Sequence, residues 1–509
     1  MKLLFCLLTA FVFGRVFALG LVPEDPARDW KCVYSSSEGP EGKALTVLTE
    51  KVSELTLRNG GLRTSHVFPL ERVGGREIAK THRFVLGVTG KNPLLDKYVK
   101  PSEVPKGGYV IKALTDGGRK TIALAGDTPA AVLWATIDFC RSDIREIAWW
   151  SRTAEEHVGW FVTERMLFTV PKLADYVRIA KPETEVRSQF TWGHVIDDYR
   201  RHFRTLAELR FNRVILWNEF PPVNAAEIVR EAHDWGLQVY WGFAWGWTAD
   251  MCQSASTDDL KALAEDIVRE WHEIWKPCGG DGIYFQTFTE QGNTMIGKRT
   301  IASMAVEVVN DAYQRIRAEA PDLDIVFGLH ANSVRTNLAE VEKTDRSMEI
   351  LWENCGGFPF YENTNATDMA FLERICGDRR PVGLVWKCQV RQDWENWAHQ
   401  AGPFLLGEAG AKTDRRDAAV YGSLYYTFDE DWLSRGKIAY NQLKHLRAGA
   451  NPPKEMNIAA AVFAPPALAT WIAAELFWST AEPWESIVSR AQRKGAVEGR
   501  HDSHGGTMQ

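Results

Sequence analysis

Two short apolar runs, Arg213-Val214-Ile215-Leu216-Trp217-Asn218 and Gln238-Val239-Tyr240-Trp241-Gly242-Phe243-Ala244, flank the amphipathic segment 225–235. Apolar residues recur at helical spacing in that segment. The flanking runs are almost continuously apolar, as strands buried on both faces are. Strand, helix, strand is the unit of a parallel sheet with crossover helices. The rhythm holds from about residue 185 onward. Further strands are predicted at 188–192, 282–289, 324–330, 349–353, 382–387 and 421–427, with helices at 197–209, 257–275 and 300–320. Eight strands separated by helices fit a closed (β/α)8 TIM barrel over 185–445. No Gly-x-Gly-x-x-Gly follows the first strand, so a dinucleotide-binding sheet has no support.

The 509 residues leave room for more than the barrel. Residues 21–175 carry strand patterns at 83–88, 108–113 and 121–126 and an apolar helix pattern at 129–139, which read as a small α/β domain. Residues 446–495 read as a helical C-terminal region. Its apolar stretch 457–478 is interrupted by Pro465 and Pro466 and contains Glu475, so packed helices are expected rather than a membrane span. Residues 496–509 read as a disordered polar tail. Residues 1–18 have the form of a signal peptide: Lys2, the apolar run from Leu3 to Phe13, and Val16-Phe17-Ala18 as a cleavage site. Export, to the outside or the periplasm, is the expectation. Beyond Cys6, the cysteines Cys32, Cys140, Cys252, Cys278, Cys355, Cys376 and Cys388 show no Cys-x-x-Cys. A zinc site is therefore not expected, disulfide pairing stays open, and most of them read as small buried hydrophobes.

Composition narrows the partners. The net charge of −6 is spread over well-mixed acidic and basic residues, with no basic stripe for nucleic acid. The 21 tryptophans exceed what core filling asks for, and flat indole faces stack on sugar rings. The expected partner is an oligosaccharide or polysaccharide, with no metal and no cofactor. The oligomeric state stays open.

A barrel of this kind places its chemistry at the C-terminal ends of its strands. Those ends carry Trp192 and His194, then Trp217 and Asn218, then Trp245 and Trp247, then Glu290, then His330 and Asn332, then Trp352 and Glu353, then Trp386 and Lys387. Glycoside cleavage needs one carboxylic acid to protonate the leaving oxygen and a second carboxylate to activate water or attack. Glu290 and Glu353 are the catalytic candidates. The tryptophans, His194, His330, Asn218, Asn332 and Lys387 are candidates for substrate contact. A structural alternative stands beside each: Glu290 paired with Lys298 or Arg299, Glu353 as an orienting acid, Trp245 and Trp247 as packing.

The segment from Gly282 to Gly292, followed by Arg299, resembles the fourth-strand segment of family 67 α-glucuronidases, whose Glu is the general acid. Residues 212–218 resemble that family's second strand, and 348–353 its sixth, whose terminal Glu is a base. Residues 121–139 are similar to the N-terminal domain shared with family 20 β-hexosaminidases. The resemblance implies a glycosidase with Glu290 as acid and Glu353 as base, acting on uronic-acid-containing fragments. Two departures stand out. No Asp follows strand five, where His330-Ala331-Asn332-Ser333 stands, and Thr289 precedes Glu290 where family 20 has Asp. Strand seven ends without a carboxylate, which points to inversion. A glycan-binding protein that keeps the barrel without turnover is the alternative.

Overall fold

The computed structural model describes residues 30–60, 82–147, 151–158, 161–167, 173–191, 196, 198–217, 220–245, 257–289, 293–330, 334, 336–353, 374, 381–387, 418–459 and 468–502. The residues read as an export signal lie outside them. The chain divides into two compact units, one up to Lys181 and one from Pro182.

In the first unit, β1 (Trp30–Tyr34), β2 (His82–Val88), β3 (Tyr109–Asp116), β4 (Arg119–Gly126) and β7 (Tyr176–Ala180) form one sheet in the order β1-β2-β4-β3-β7. β5 (Ser151–Val158) and β6 (Phe161–Leu167) form a separate antiparallel pair. β1, β2 and β4 run parallel, while β3 is antiparallel to both of its neighbours. The helix Pro129–Ser142 starts where Thr128 accepts a hydrogen bond from the Ala131 amide at 3.2 Å and Pro129 fixes the first helical φ. It packs on the sheet through Phe139 against Phe84. On a second cluster, Leu94, Leu95 and Val99 meet Val33, Val85 and Val110. Cys32 and Cys140 are buried core residues, and burial pushes the Cys32 thiol far up.

The second unit is a closed barrel of eight parallel strands: β8 (Val186–Phe190), β9 (Arg213–Trp217), β10 (Gln238–Trp245), β11 (Gly282–Thr287), β14 (Asp324–His330), β15 (Glu349–Glu353), β16 (Val382–Lys387) and β17 (Glu455–Ala459). Two-residue strands β12 (Met295–Ile296) and β13 (Arg299–Thr300) pair in the loop after β11. Helices alternate with the strands, among them Tyr199–Glu208, Ala225–Asp234, Thr257–Glu270 and Ile301–Glu319. This is a (β/α)8 TIM barrel. Its interior holds Phe190, Ile215, Tyr240, Tyr284, Val326, Leu351, Val385 and Ala459.

Two expectations are corrected. Residues 421–427 are not the eighth strand. They lie in the helix Ala418–Ala448, and β17 closes the barrel between β16 and β8, so the barrel runs past 445. The helix Trp484–Asp502 also continues into the stretch read as a disordered tail. Asp429, which would have followed strand eight, instead accepts a hydrogen bond from the Ala469 amide at 2.8 Å, at the start of the helix Leu468–Trp478. Among the described residues no helix is long and apolar enough to cross a membrane.

The barrel floor is ionic. Arg213, the first residue of β9, pairs with Glu455 and reaches Glu349 at 3.4 Å, while Lys454 reaches Glu349 at 3.0 Å. These are first residues of their strands or lie just before them, far along each strand from the ends where barrel chemistry sits. They close the fold.

Candidate active site

Strand alternation decides which end residues meet inside the barrel. Phe190, Ile215, Tyr284 and Leu351 face the interior. Counting in twos from them, Trp217, Gln286 and Glu353 face inward as well, and His330 follows from Val326. With the one-residue stagger per strand of such a barrel, the register places Trp217, Gln286, Glu353 and Ala459 in one layer and His330 in the layer above.

Glu353 is the centre of this group. It is 0% exposed, and so is His330. Gln286 Nε2 donates to Glu353 Oε2 at 2.7 Å, and His330 Nε2 lies 3.1 Å from the same oxygen. Gln286 Nε2 also donates to Tyr284 Oη at 2.9 Å. Against an ionised Glu353, which accepts and cannot donate, this amide orientation is the matching one; the flipped amide would set oxygen against oxygen. Below, Gly328 makes room for Tyr284: a Cβ there would lie 2.2 Å from Tyr284 Oη. Gly242 does the same for Trp217, whose ring edge would meet a Cβ at 2.8 Å. Trp217 packs edge-on against Phe190 and Tyr284 and stays half-buried.

Three candidate sugar platforms are corrected. Trp245, Trp352 and Trp386 sit one residue out of step with the inward set and face the surrounding helices. Trp245 stacks on Phe285 at 3.4 Å between centroids. Trp386 lies 5.8 Å from Trp432 and 5.2 Å from Phe477, both on helices outside the barrel. Trp352 stands between inward-facing Leu351 and Glu353 and is 2% exposed. The physical reason is the two-residue period of a strand, which sends neighbours to opposite faces. His330, read as a hydroxyl partner, is enclosed against Glu353. Lys387 ends β16, and its backbone pairs in register with Ala459. Glu290, Trp192, His194, Asn218, Trp247 and Asn332 lie outside the described residues.

Gln286 and Tyr284 were missed. Gln286 and Thr287 are the polar residues that end an otherwise apolar strand, and the parity that sets Gln286 inward with Tyr284 shows only once one inward residue is known.

No protein-family model matches the chain, and a search of curated proteins found no match. Solved structures do match. The chain is similar to CpGH84B, at 11% identity and a TM-score of 0.50, over 91% of this chain and 70% of that one. It is also similar to a GH138 enzyme described as targeting pectin rhamnogalacturonan II, at 8% identity and a TM-score of 0.50, over 92% of this chain and 68% of that one. Both are glycoside hydrolases, and at this identity the likeness is one of fold.

Proposed function

We propose that the chain is a glycoside hydrolase that cleaves O-glycosidic bonds at the C-terminal end of its barrel, with Glu290 as general acid and Glu353 as general base. The observation that carries this reading is the place of Glu353. It is the last residue of β15, it faces the interior, and it accepts an amide hydrogen bond at 2.7 Å. A base must remain ionised at working pH, and a donor to the charged form favours that state. Because β16 ends in Lys387 rather than a carboxylate, the reading is an inverting reaction in which Glu353 activates water on the face opposite Glu290. Lys387 is also the cation that would meet a uronate carboxylate. Together with the resemblance to α-glucuronidases, this makes uronic-acid-containing polysaccharide fragments the proposed substrate class. Export by the N-terminal leader belongs to the same reading.

The test is turnover of aryl glycosides and uronic-acid oligosaccharides, with the first-formed anomer read by proton NMR. Glu290→Gln and Glu353→Gln should each lower kcat by roughly 10²–10⁴-fold. Glu290→Gln should spare substrates with good leaving groups and remove the alkaline limb of the pH profile, while Glu353 sets the acidic limb. The complete enclosure of Glu353, at 0% exposure, favours a second reading: a barrel that binds glycan without turning it over. Wild type and both variants binding the same oligosaccharide with equal, negligible turnover would decide for that one.

A further inference from the structure

We infer that Gln286 is a positioning residue that aims the Glu353 carboxylate and holds it ionised, and that Tyr284 and Gly328 in turn fix Gln286. The inference rests on Glu353 being the base of the proposed reaction, and it adds what prepares that base. A carboxylate with no exposure has lost its water, and burial alone would favour its neutral form. A group that donates to the charged form, or a nearby cation, restores ionisation. Gln286 supplies such a donor at 2.7 Å, and its position is over-determined. Both amide hydrogens have acceptors, Glu353 Oε2 and Tyr284 Oη, so the amide cannot rotate without losing one of them. Tyr284 reaches that place because β14 carries Gly328 where a Cβ would overlap the phenol.

Among the described residues, the groups around Glu353 come from five strands. β14 presents His330, β11 presents Gln286 with Tyr284 below it, β16 presents Val385 as the register partner of Glu353, and β9 and β17 present Trp217 and Ala459 in the same layer. His330 supports the anion only with a proton on Nε2. The Gln286 donor does not depend on pH.

The experiment is a side-chain carboxyl titration of the full chain labelled with 13C at the glutamate carboxyl, in which Glu353→Gln identifies the Glu353 resonance. Gln286→Leu should raise the pH at which Glu353 titrates by about one unit, a tenfold change in proton affinity. Tyr284→Phe, which keeps the ring and removes one acceptor, should give a smaller shift of either sign together with a broadened Gln286 amide signal. The acidic limb of kcat/KM, read on 2-chloro-4-nitrophenyl glycosides, should move by the same amount as the resonance. If Gln286→Leu fails to fold, Gln286→Met makes the same deletion with a flexible side chain of similar length. A Glu353 resonance that titrates at the same pH in wild type and in the Leu or Met variant overturns the inference. Full turnover by Glu353→Gln would instead remove Glu353 as the base, while the titration would still report whether Gln286 acts on it.

Discussion

At the residue scale, the interior rests on large side chains filling spaces left by glycine. Gly328→Ala would put a Cβ 2.2 Å from Tyr284 Oη and 2.4 Å from Cζ. A phenol ring cannot fold away as a Lys tip can, so the expected cost is about 1–3 kcal/mol in a denaturation midpoint analysis. The cost should shrink in a Tyr284→Leu background, because the obstructing atoms are gone; an undiminished cost would place the strain elsewhere. The same scale shows why the sequence placed Glu353 at a strand end but misplaced the tryptophans beside the strand ends. A carboxylate at a strand end is visible in sequence, and Glu349–Glu353 was bounded correctly. Whether the adjacent Trp352 points in or out depends on the parity of the strand, and parity can be read only when one inward residue is known. Tyr284 and Gln286 were legible for the same reason only afterwards. The glycines that admit Trp217 and Tyr284 lie on neighbouring strands, so no local pattern ties them to their partners.

At the element scale, the instructive case is the closing strand. Residues 421–427 hold Tyr421, Tyr425, Tyr426, Thr427 and Leu424, mostly types that favour strands, yet they belong to a helix of 31 residues. β17, Glu455-Met456-Asn457-Ile458-Ala459, looks poor by comparison because two of its three inward positions are Glu455 and Asn457. Burying those side chains is tolerated because Arg213 and Ser188 receive them inside the barrel. Tertiary pairing overrides propensity, and it is invisible locally. The helix Leu468–Trp478 shows the reverse. Glu475 spoiled it as a membrane span in sequence, and the structure gives the reason for its presence. Glu475 is buried and receives Arg210 at 2.6 Å, Arg490 at 2.6 Å and Lys494 at 2.7 Å. Burial alone would raise its pKa, but the three cations together hold it well below the usual carboxylate range. A depressed folded pKa contributes stability above the unfolded value, and that stability is lost as pH falls through the folded one. Glu475→Gln, which strands three cations, should cost about 3–5 kcal/mol near neutral pH. It should also flatten the acid-unfolding curve below about pH 4.5, where wild type loses this contribution. Equal acid sensitivity in wild type and variant would mean that the three cations do not act through Glu475.

At the scale of the whole molecule, three strands from distant parts of the chain, β9, β15 and β17, are tied at the barrel floor by one ionic group, and its titration should appear in the stability of the fold. Burial raises the Glu455 pKa to about 7, with Glu349 adding to the rise and Arg213 opposing it. Glu349 is also buried, yet Arg213 and Lys454 hold it below its ordinary value. The two windows therefore separate. For Glu349, stability is present above the unfolded carboxylate pKa and is lost as pH falls below it. For Glu455, the folded state keeps a proton that the unfolded chain has already released, so its contribution is full below the unfolded value and is lost as pH rises toward about 7. His202 runs the other way: burial depresses its pKa to about 4, so its contribution grows with pH up to the ordinary histidine value. The absolute slope of stability against pH consequently mixes opposing signs, and the informative quantity is the difference between wild type and Glu455→Gln. Between about pH 5 and about pH 7.5, wild type should lose on the order of 1–3 kcal/mol relative to that variant in urea unfolding. Arg213→Met should steepen the wild-type loss, because it removes the cation that keeps Glu455 from rising further. Parallel stability profiles for wild type and Glu455→Gln across that range would show that Glu455 is already ionised in the folded barrel, with Arg213 fully offsetting its burial.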